Sequence, residues 1–292
     1  MRSLTIQESG VTSTLDIYEF GSGSPRVVFT AGIHGGEVTG VYVAEQLIEY
    51  FTHNPPLKGS VKILPRCNPT ATRCLQRRSP FDNEDLNRIF PGSAQGSLSH
   101  RIADAVWHET ADADYLIDLH CCGQHGLPYL LGIYDESQPA RALAEQIAMP
   151  IAVQSGGTAG QLFTDSCRHR GQAAIIIELP SGPSSGAVNP VVAEQAVTGL
   201  LSFLTRIGII EGRENTLLPT FYGPLLDICV PESGLWVPQV QRGETLKAGQ
   251  TVGTLNGKPV CAVEDGFAMS VLPISYVFID DPWVVTYVVE RP

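Results

Sequence analysis

The sequence predicts an α/β protein in which helices flank a mixed, mostly parallel sheet, followed by a small all-β C-terminal domain. Through about residue 207, short apolar runs alternate with segments of helical spacing, which is typical of layered α/β domains. From residue 220 onwards, short β runs are separated by glycine and proline, without a clear helical pattern. We therefore predict an α/β domain over 1–207, a linker over 208–219 and a small β-barrel-like domain over 220–292.

Hydrophobic periodicity predicts the elements of the first domain. In chain order these are a strand at 26–31, a helix at 38–51, a strand at 60–64, a helix at 98–110, strands at 115–119 and 129–133, a helix at 139–148, a strand at 173–179 and a helix at 190–206. The strand AAIIIEL at 173–179 is the most apolar, so we expect it in the centre of the sheet with both faces covered. In the second domain, LNGK at 255–258 predicts a tight hairpin, because Asn-Gly suits a turn with two positive φ angles.

Composition excludes several classes of protein. The 292 residues are 43% hydrophobic and 17% charged, which is ordinary for a globular protein. No apolar run is long enough to span a membrane, and the net charge of −11 argues against nucleic acid as a partner. The opening MRSLTIQESG lacks the apolar core of a signal peptide, which predicts a cytoplasmic location. Seven cysteines without a C-x-x-C pair predict reduced thiols rather than a disulfide framework.

Three residues of metal-ligand type lie at the ends of predicted strands. His34 and Glu37 follow the strand at 26–31, separated by two glycines, and His120 ends the run YLIDLH. Ligands of open α/β sheets bind beyond the carboxyl ends of the strands, and two histidines with one carboxylate are a common catalytic zinc set. The alternative is that these are incidental polar residues at solvated strand ends, and periodicity alone does not decide between the two interpretations.

Glu178 lies near the end of the most apolar predicted strand. An unpaired carboxylate is costly there, and desolvation raises its pKa, which suits a general base beside a cleft. The alternative is a structural carboxylate that backbone donors satisfy.

The segment 66–92 contains five arginines and no lysine, at positions 66, 73, 77, 78 and 88. The planar guanidinium group suits bidentate capture of a carboxylate. The alternative is a solvated loop whose arginines pair with its acidic residues Asp82, Glu84 and Asp85. For Arg66 and Arg73 we favour the solvated loop.

Together, these stretches resemble the zinc metallocarboxypeptidase superfamily, specifically its succinylglutamate desuccinylase/aspartoacylase branch. The resemblance is carried by GIHGGE at 32–37, NP at 68–69, RRSPFDNEDLNRIFPG at 77–92, DLH at 118–120 and IIIELP at 175–180. Their order and spacing agree across 30–180, and the combination is far more specific than any single motif.

The resemblance implies one zinc ion per chain, held by His34, Glu37 and His120. It implies that Glu178 is the base that activates water and returns the proton to the leaving amine. It further implies that Asn87 and Arg88 grip a substrate carboxylate. An upstream arginine would polarise the scissile carbonyl, and here Arg77 aligns best with the family pattern, with Arg78 as its rival.

The sequence departs from the family pattern beside the implied ligands. Gly36 stands where the family usually has aspartate or asparagine, and Cys121 and Cys122 directly follow His120, where small or polar residues are more usual. Asp118 points to the same side of its strand as His120. Asp118 is therefore either a partner that orients a zinc ligand or a carboxylate satisfied at a strand end.

The C-terminal segment resembles a biotinyl/lipoyl-like β-barrel, with Lys258 at the position of a modified lysine. A lysine-modified carrier is an alternative function, but the turn explains NGK and the flanking modification signature is missing. We expect instead that the segment flanks the active-site mouth, with Tyr222, Tyr276 or Tyr287 as a substrate contact.

The predicted function is zinc-dependent hydrolysis of the amide bond in a small, anionic N-acyl amino acid. The main alternative is a zinc carboxypeptidase acting on small peptides, and a binding protein without catalysis is a weaker one. Neither nucleic acid nor a membrane is an expected partner, and a homo-oligomer is compatible with the sequence.

Overall fold

The computed structural model describes residues 1–291, and nine strands within them form one sheet. The strands are β1 (Arg2–Glu8), β2 (Val11–Ser22), β3 (Arg26–Ala31), β4 (Gly59–Leu64), β5 (Tyr115–Cys121), β6 (Tyr129–Gly132), β7 (Ile151–Gln154), β8 (Ala173–Leu179) and β9 (Thr220–Tyr222). Their spatial order is β1-β2-β4-β3-β5-β8-β6-β7-β9. The pairs β1/β2, β2/β4 and β6/β8 are antiparallel and the other five are parallel, which confirms the prediction of a mixed, mostly parallel sheet.

Helices flank this sheet, as predicted. They are α1 (Val38–His53), α2 (Pro69–Cys74), α3 (Leu98–Glu109), α4 (Gln138–Ala144), α5 (Leu162–Arg170) and α6 (Pro190–Arg206). In α1 the apolar side chains of Ala44, Leu47 and Phe51 are buried, since residues three and four apart share one helix face. Asn189 caps α6 by accepting a hydrogen bond from the Val192 amide.

The central position predicted for 173–179 is confirmed. Strand β8 lies between β5 and β6, and all of its residues except Glu178 are buried. Packing of α4 and α5 against β8 covers the strand, as its near-continuous apolar sequence requires.

Six elements around the large sheet were not predicted: β1, β2, β7, β9, α2 and α5. The hairpin of β1 and β2 is half-exposed, with Leu15 and Ile17 buried between exposed or partly exposed neighbours. Strand β7 has four residues, which is too few for its period to be recognised. The predicted helix at 139–148 ends earlier, at Ala144.

The C-terminal segment forms two antiparallel sheets of four strands each within the described residues. One contains β10 (Leu226–Cys229), β17 (Trp283–Val288), β15 (Gly266–Val271) and β12 (Thr245–Leu246); the other contains β14 (Lys258–Cys261), β13 (Thr251–Leu255), β11 (Gly234–Pro238) and β16 (Ser275–Val277). The hairpin turn at Asn256 and Gly257 has positive φ at both residues, which confirms the LNGK prediction. The Lys258 ammonium lies 3.2 Å from the Glu232 carboxylate.

The division of the chain into 1–207, 208–219 and 220–292 stays a proposal. The pairing of strand β9 bears on where the C-terminal domain begins. Strand β9, at residues 220–222, pairs in parallel with β7 and therefore lies in the large sheet. The strands of the two smaller sheets begin after it, at Leu226.

None of the helices in residues 1–291 combines the length and apolar character that a membrane crossing requires.

Candidate metal centre and active site

The turn between β3 and α1 carries His34 and Glu37, and the adjacent strand β5 carries His120. Both features lie at the carboxyl ends of neighbouring parallel strands, where open α/β sheets bind ligands. A Cβ atom on Gly35 would lie 2.0 Å from the backbone of Ala71, so only glycine lets α2 approach the turn this closely. The glycine therefore serves close packing of the turn against α2.

His34, Glu37 and His120 converge on one point. One ligand atom from each residue lies within 4.8 Å of the others. The Glu37 carboxylate faces both histidines, with Oε1 2.7 Å from Nδ1 of His34 and Oε2 2.9 Å from Nδ1 of His120. Two imidazole nitrogens and one carboxylate at this separation suit a divalent metal of the zinc type.

A buried carboxylate orients His120. Nε2 of His120 lies 2.8 Å from Oδ2 of Asp118, which is fully buried and accepts a second hydrogen bond from the Thr30 hydroxyl at 2.7 Å. An ionised carboxylate accepts hydrogen bonds but cannot donate them. Asp118 therefore favours the His120 tautomer with hydrogen on Nε2, which leaves the Nδ1 lone pair for a metal.

Asp85 performs the same task for His34, and the sequence analysis missed it. Nε2 of His34 lies 3.0 Å from Oδ1 of Asp85, which also accepts from the backbone amide of Asn87 at 3.0 Å. Its other oxygen accepts from Nε of Arg77 at 2.9 Å. The sequence signal for Asp85 was its position in the DLNR motif. There it directly precedes Leu86 and caps the short 3-10 turn Leu86–Arg88.

The charges at this centre favour a bound cation. Burial alone would raise the pKa of Glu37, but the facing His120 and His34 outweigh burial and hold the pKa well below its usual range. Burial would lower the pKa of His120, but the carboxylates of Asp118 and Glu37 raise it well above its usual value. Because a metal and a proton compete for the histidine nitrogens, metal binding at this centre is expected to weaken at low pH.

Glu178 lies opposite His120 in the register of β5 and β8, and its side chain lines the same cavity. Its Oε2 atom is buried and has no hydrogen-bond partner within residues 1–291. Burial raises the pKa of Glu178 to about 7, against the opposing effect of His120. The orphaned oxygen argues against a purely structural carboxylate and fits the predicted base.

Arg77, Asn87 and Arg88 also line the cavity, whereas Arg78 does not. The Asn87 side chain is held by the backbone amide of Leu162, at the start of α5, at 3.0 Å. The Arg78 guanidinium instead donates to the Asn83 carbonyl at 3.0 Å. Of the two rival arginines, the geometry therefore brings Arg77 to the metal centre and leaves Arg78 outside it.

The cavity encloses about 300 Å³, and the C-terminal segment supplies part of its wall. The contributing residues of that segment are Leu225, Met269, Ser270, Trp283 and Thr286. None of the three predicted tyrosines lines the cavity in the described chain: Tyr287 instead donates to Glu264, and Tyr276 is 59% exposed. The tyrosine beside the centre is Tyr129 on β6, which the sequence analysis did not consider.

The sequence is similar to sequences of known proteins over most of its length. The sequence model of the succinylglutamate desuccinylase/aspartoacylase catalytic domain matches residues 23–207. An N-alpha-acetyl-L-2,4-diaminobutyric acid deacetylase from Halomonas elongata is 27% identical over 263 residues, covering 86% of this chain and 74% of the relative.

Solved structures share the fold over nearly the whole chain. A succinylglutamate desuccinylase/aspartoacylase from Rhodobacter sphaeroides superposes with a TM-score of 0.82 at 23% identity, covering 99% of this chain and 94% of the other. The ectoine utilization protein EutE (DoeB) from Ruegeria pomeroyi, in a product-bound structure, gives 0.80 at 21% identity, with 99% and 93% covered. The match of the catalytic-domain model to more than half of the sequence confirms the predicted family: the chain belongs to the succinylglutamate desuccinylase/aspartoacylase family.

Proposed function

We propose that this protein is a zinc-dependent deacylase that hydrolyses the amide bond of a small N-acyl amino acid. The observation that carries the proposal is the meeting of a His-Glu-His metal set with a carboxylate that has one buried, partnerless oxygen, at one cavity. The name of the Halomonas elongata relative, a deacetylase of an N-acetylated amino acid, supports the same reaction class.

His34, Glu37 and His120 would hold one zinc ion per chain. A zinc ion in this set supplies Lewis acidity to the scissile carbonyl and makes water a nucleophile near neutral pH. Asp85 and Asp118 keep both imidazole rings oriented with Nδ1 towards the centre. These hydrogen bonds fix the orientation of the two histidine ligands before any substrate binds.

Glu178 acts as the general base in this proposal. Its buried carboxylate takes a proton from the attacking water and delivers it to the leaving amine as the C–N bond breaks. Burial raises the pKa of Glu178 to about 7 in the absence of metal, which favours acceptance of a proton near neutral pH.

Arg77, Asn87 and Arg88 bind the substrate. Nη1 of Arg77 lies 3.4 Å from Nδ1 of His34 and 3.8 Å from Oε1 of Glu37, so its guanidinium reaches the metal centre. From there it can donate to the carbonyl oxygen as negative charge develops. Asn87 and Arg88 line the cavity and, in this proposal, bind the carboxylate of the amino acid.

The proposal is tested by supplying zinc-loaded protein with a panel of N-acyl amino acids and measuring amine release. We expect hydrolysis that a chelator abolishes and added zinc restores, with about one zinc per chain by elemental analysis. His120→Ala should lose both zinc and activity, whereas His108→Ala, at an exposed position far along α3, should keep both.

The same panel separates the carboxypeptidase alternative. Release of C-terminal residues from small peptides, without cleavage of N-acyl amino acids, would refute the deacylase proposal and favour a peptidase. Full zinc occupancy without cleavage of either class would favour a binding protein.

A further inference from the structure

Beyond the metal centre the cavity floor is apolar. Across the sheet, Glu178 on β8 is in register with Tyr129 on β6, and two residues earlier Ile176 is in register with Leu131. Side chains two residues apart on a strand share one face, so all four residues line one floor. The floor thus changes from charged to apolar as it runs from β5 towards β6.

Met269 of the C-terminal segment lines the cavity beside this floor. Its side chain is 2% exposed and packs in a cluster with Tyr129 and Val153. Its carbonyl accepts from the Leu127 amide at 2.9 Å, and the next residue, Ser270, forms a β-bridge with Gly126. These contacts tie the backbone of Met269 and Ser270 to the segment that precedes β6.

Arg77 and Arg88 are the only lysine or arginine side chains that line this cavity within the described residues. The proposed function already engages both: Arg77 at the scissile carbonyl and Arg88 at the carboxylate of the amino acid. A second carboxylate on the acyl group would therefore be buried on the apolar floor without a cation, which is strongly unfavourable.

We infer that Tyr129, Leu131, Ile176 and Met269 form an acyl subsite that selects short, uncharged acyl groups and rejects acyl groups with a carboxylate. The inference rests on the proposed function and specifies its substrate class. Acetyl and propionyl amino acids belong to that class, whereas succinyl amino acids do not. Met269, contributed by the C-terminal segment, sets the length limit.

The first test uses the unaltered, zinc-loaded protein with acetyl, propionyl, hexanoyl and succinyl derivatives of one amino acid. We expect kcat/KM for the acetyl derivative to exceed that for the succinyl derivative by about 100-fold or more. A succinyl derivative cleaved as well as the acetyl derivative would overturn the inference while leaving the deacylase proposal intact. Cleavage of none of the derivatives would overturn the deacylase proposal itself.

The second test shortens the side chain of Met269. Met269→Ala deletes three heavy atoms of the side chain and should raise the hexanoyl-to-acetyl ratio of kcat/KM by about tenfold or more. The succinyl derivative should remain poor, because the substitution adds space but no cation. The matched control is Met149→Ala, a buried methionine that lines a separate surface groove and should leave the ratio unchanged.

An unchanged ratio in folded Met269→Ala, verified by circular dichroism, would refute the length limit. Should that variant not fold, the acetyl-to-succinyl comparison on the unaltered protein still decides the charge selection.

Discussion

Replacing Glu178 by glutamine tests the assignment of the general base, because it removes the charge and retains the shape. Glutamine cannot take a proton from water, so we expect kcat to fall by about 10²–10⁴. Zinc content should not change, since the metal set consists of His34, Glu37 and His120. Activity is measured by amine release and zinc by elemental analysis.

The same substitution should stabilise the metal-free protein. Folding raises the pKa of Glu178 from 4.5 to about 7, so ionised Glu178 destabilises the fold. This cost is absent below pH 4.5, grows as pH rises and is complete above pH 7. Since glutamine stays neutral, Glu178→Gln should raise the free energy of unfolding by about 1 kcal/mol at pH 5.5 and about 3 kcal/mol at pH 8.5.

Urea denaturation in the presence of a chelator, followed by tryptophan fluorescence at both pH values, measures the two differences. The matched control is Glu194→Gln, on the exposed side of α6. The control should shift neither stability nor turnover. Near-normal turnover of Glu178→Gln would refute its role as the base, and equal stability gains at both pH values would refute the buried-charge argument.

Four further substitutions address a histidine partner and the arginines. Asp118→Asn should lower zinc affinity by about 10–100-fold, because the amide no longer fixes the His120 tautomer. Competition with a chromophoric chelator measures the zinc affinity, and an unchanged affinity would contradict the orienting role of Asp118. Arg88→Ala should mainly raise KM for N-acyl amino acids relative to their neutral amide analogues in steady-state assays, whereas an equal loss on both substrates would contradict a carboxylate clamp. Arg77→Ala should lower kcat by about 10²–10³, whereas Arg78→Ala, outside the cavity, should leave kcat nearly unchanged. A larger loss of kcat in Arg78→Ala than in Arg77→Ala would identify Arg78 as the catalytic arginine.

Long, strongly patterned elements were predictable from sequence because their burial is one-sided or complete. The spacing of Leu47 and Phe51 predicted α1, and the apolar run at 173–179 predicted a central strand. Strand β7 escaped prediction because its four residues are buried by neighbouring strands and carry no recognisable period. Strand β9 escaped because its partner β7 is more than sixty residues earlier in the chain.

The candidate centre was predictable to a similar extent. His34, Glu37, His120 and Glu178 are of ligand or base type and lie at or near the ends of apolar strands, so their positions follow from local patterns. Asp85 was not distinguished from other acidic residues of its loop, because its role depends on His34, 51 positions away in sequence.

The mixed α/β class, the family and the residue types of the candidate centre were predictable from the amino-acid sequence alone. Those features depend on hydrophobic periodicity and on side-chain chemistry, both of which are local properties of the chain. Three features required the tertiary structure: Arg77 rather than Arg78 lines the cavity, Asp85 and Asp118 contact the two histidines, and Met269 contributes to the cavity wall. These depend on contacts between residues distant in sequence, whose distances and directions are set when strands pair and side chains pack.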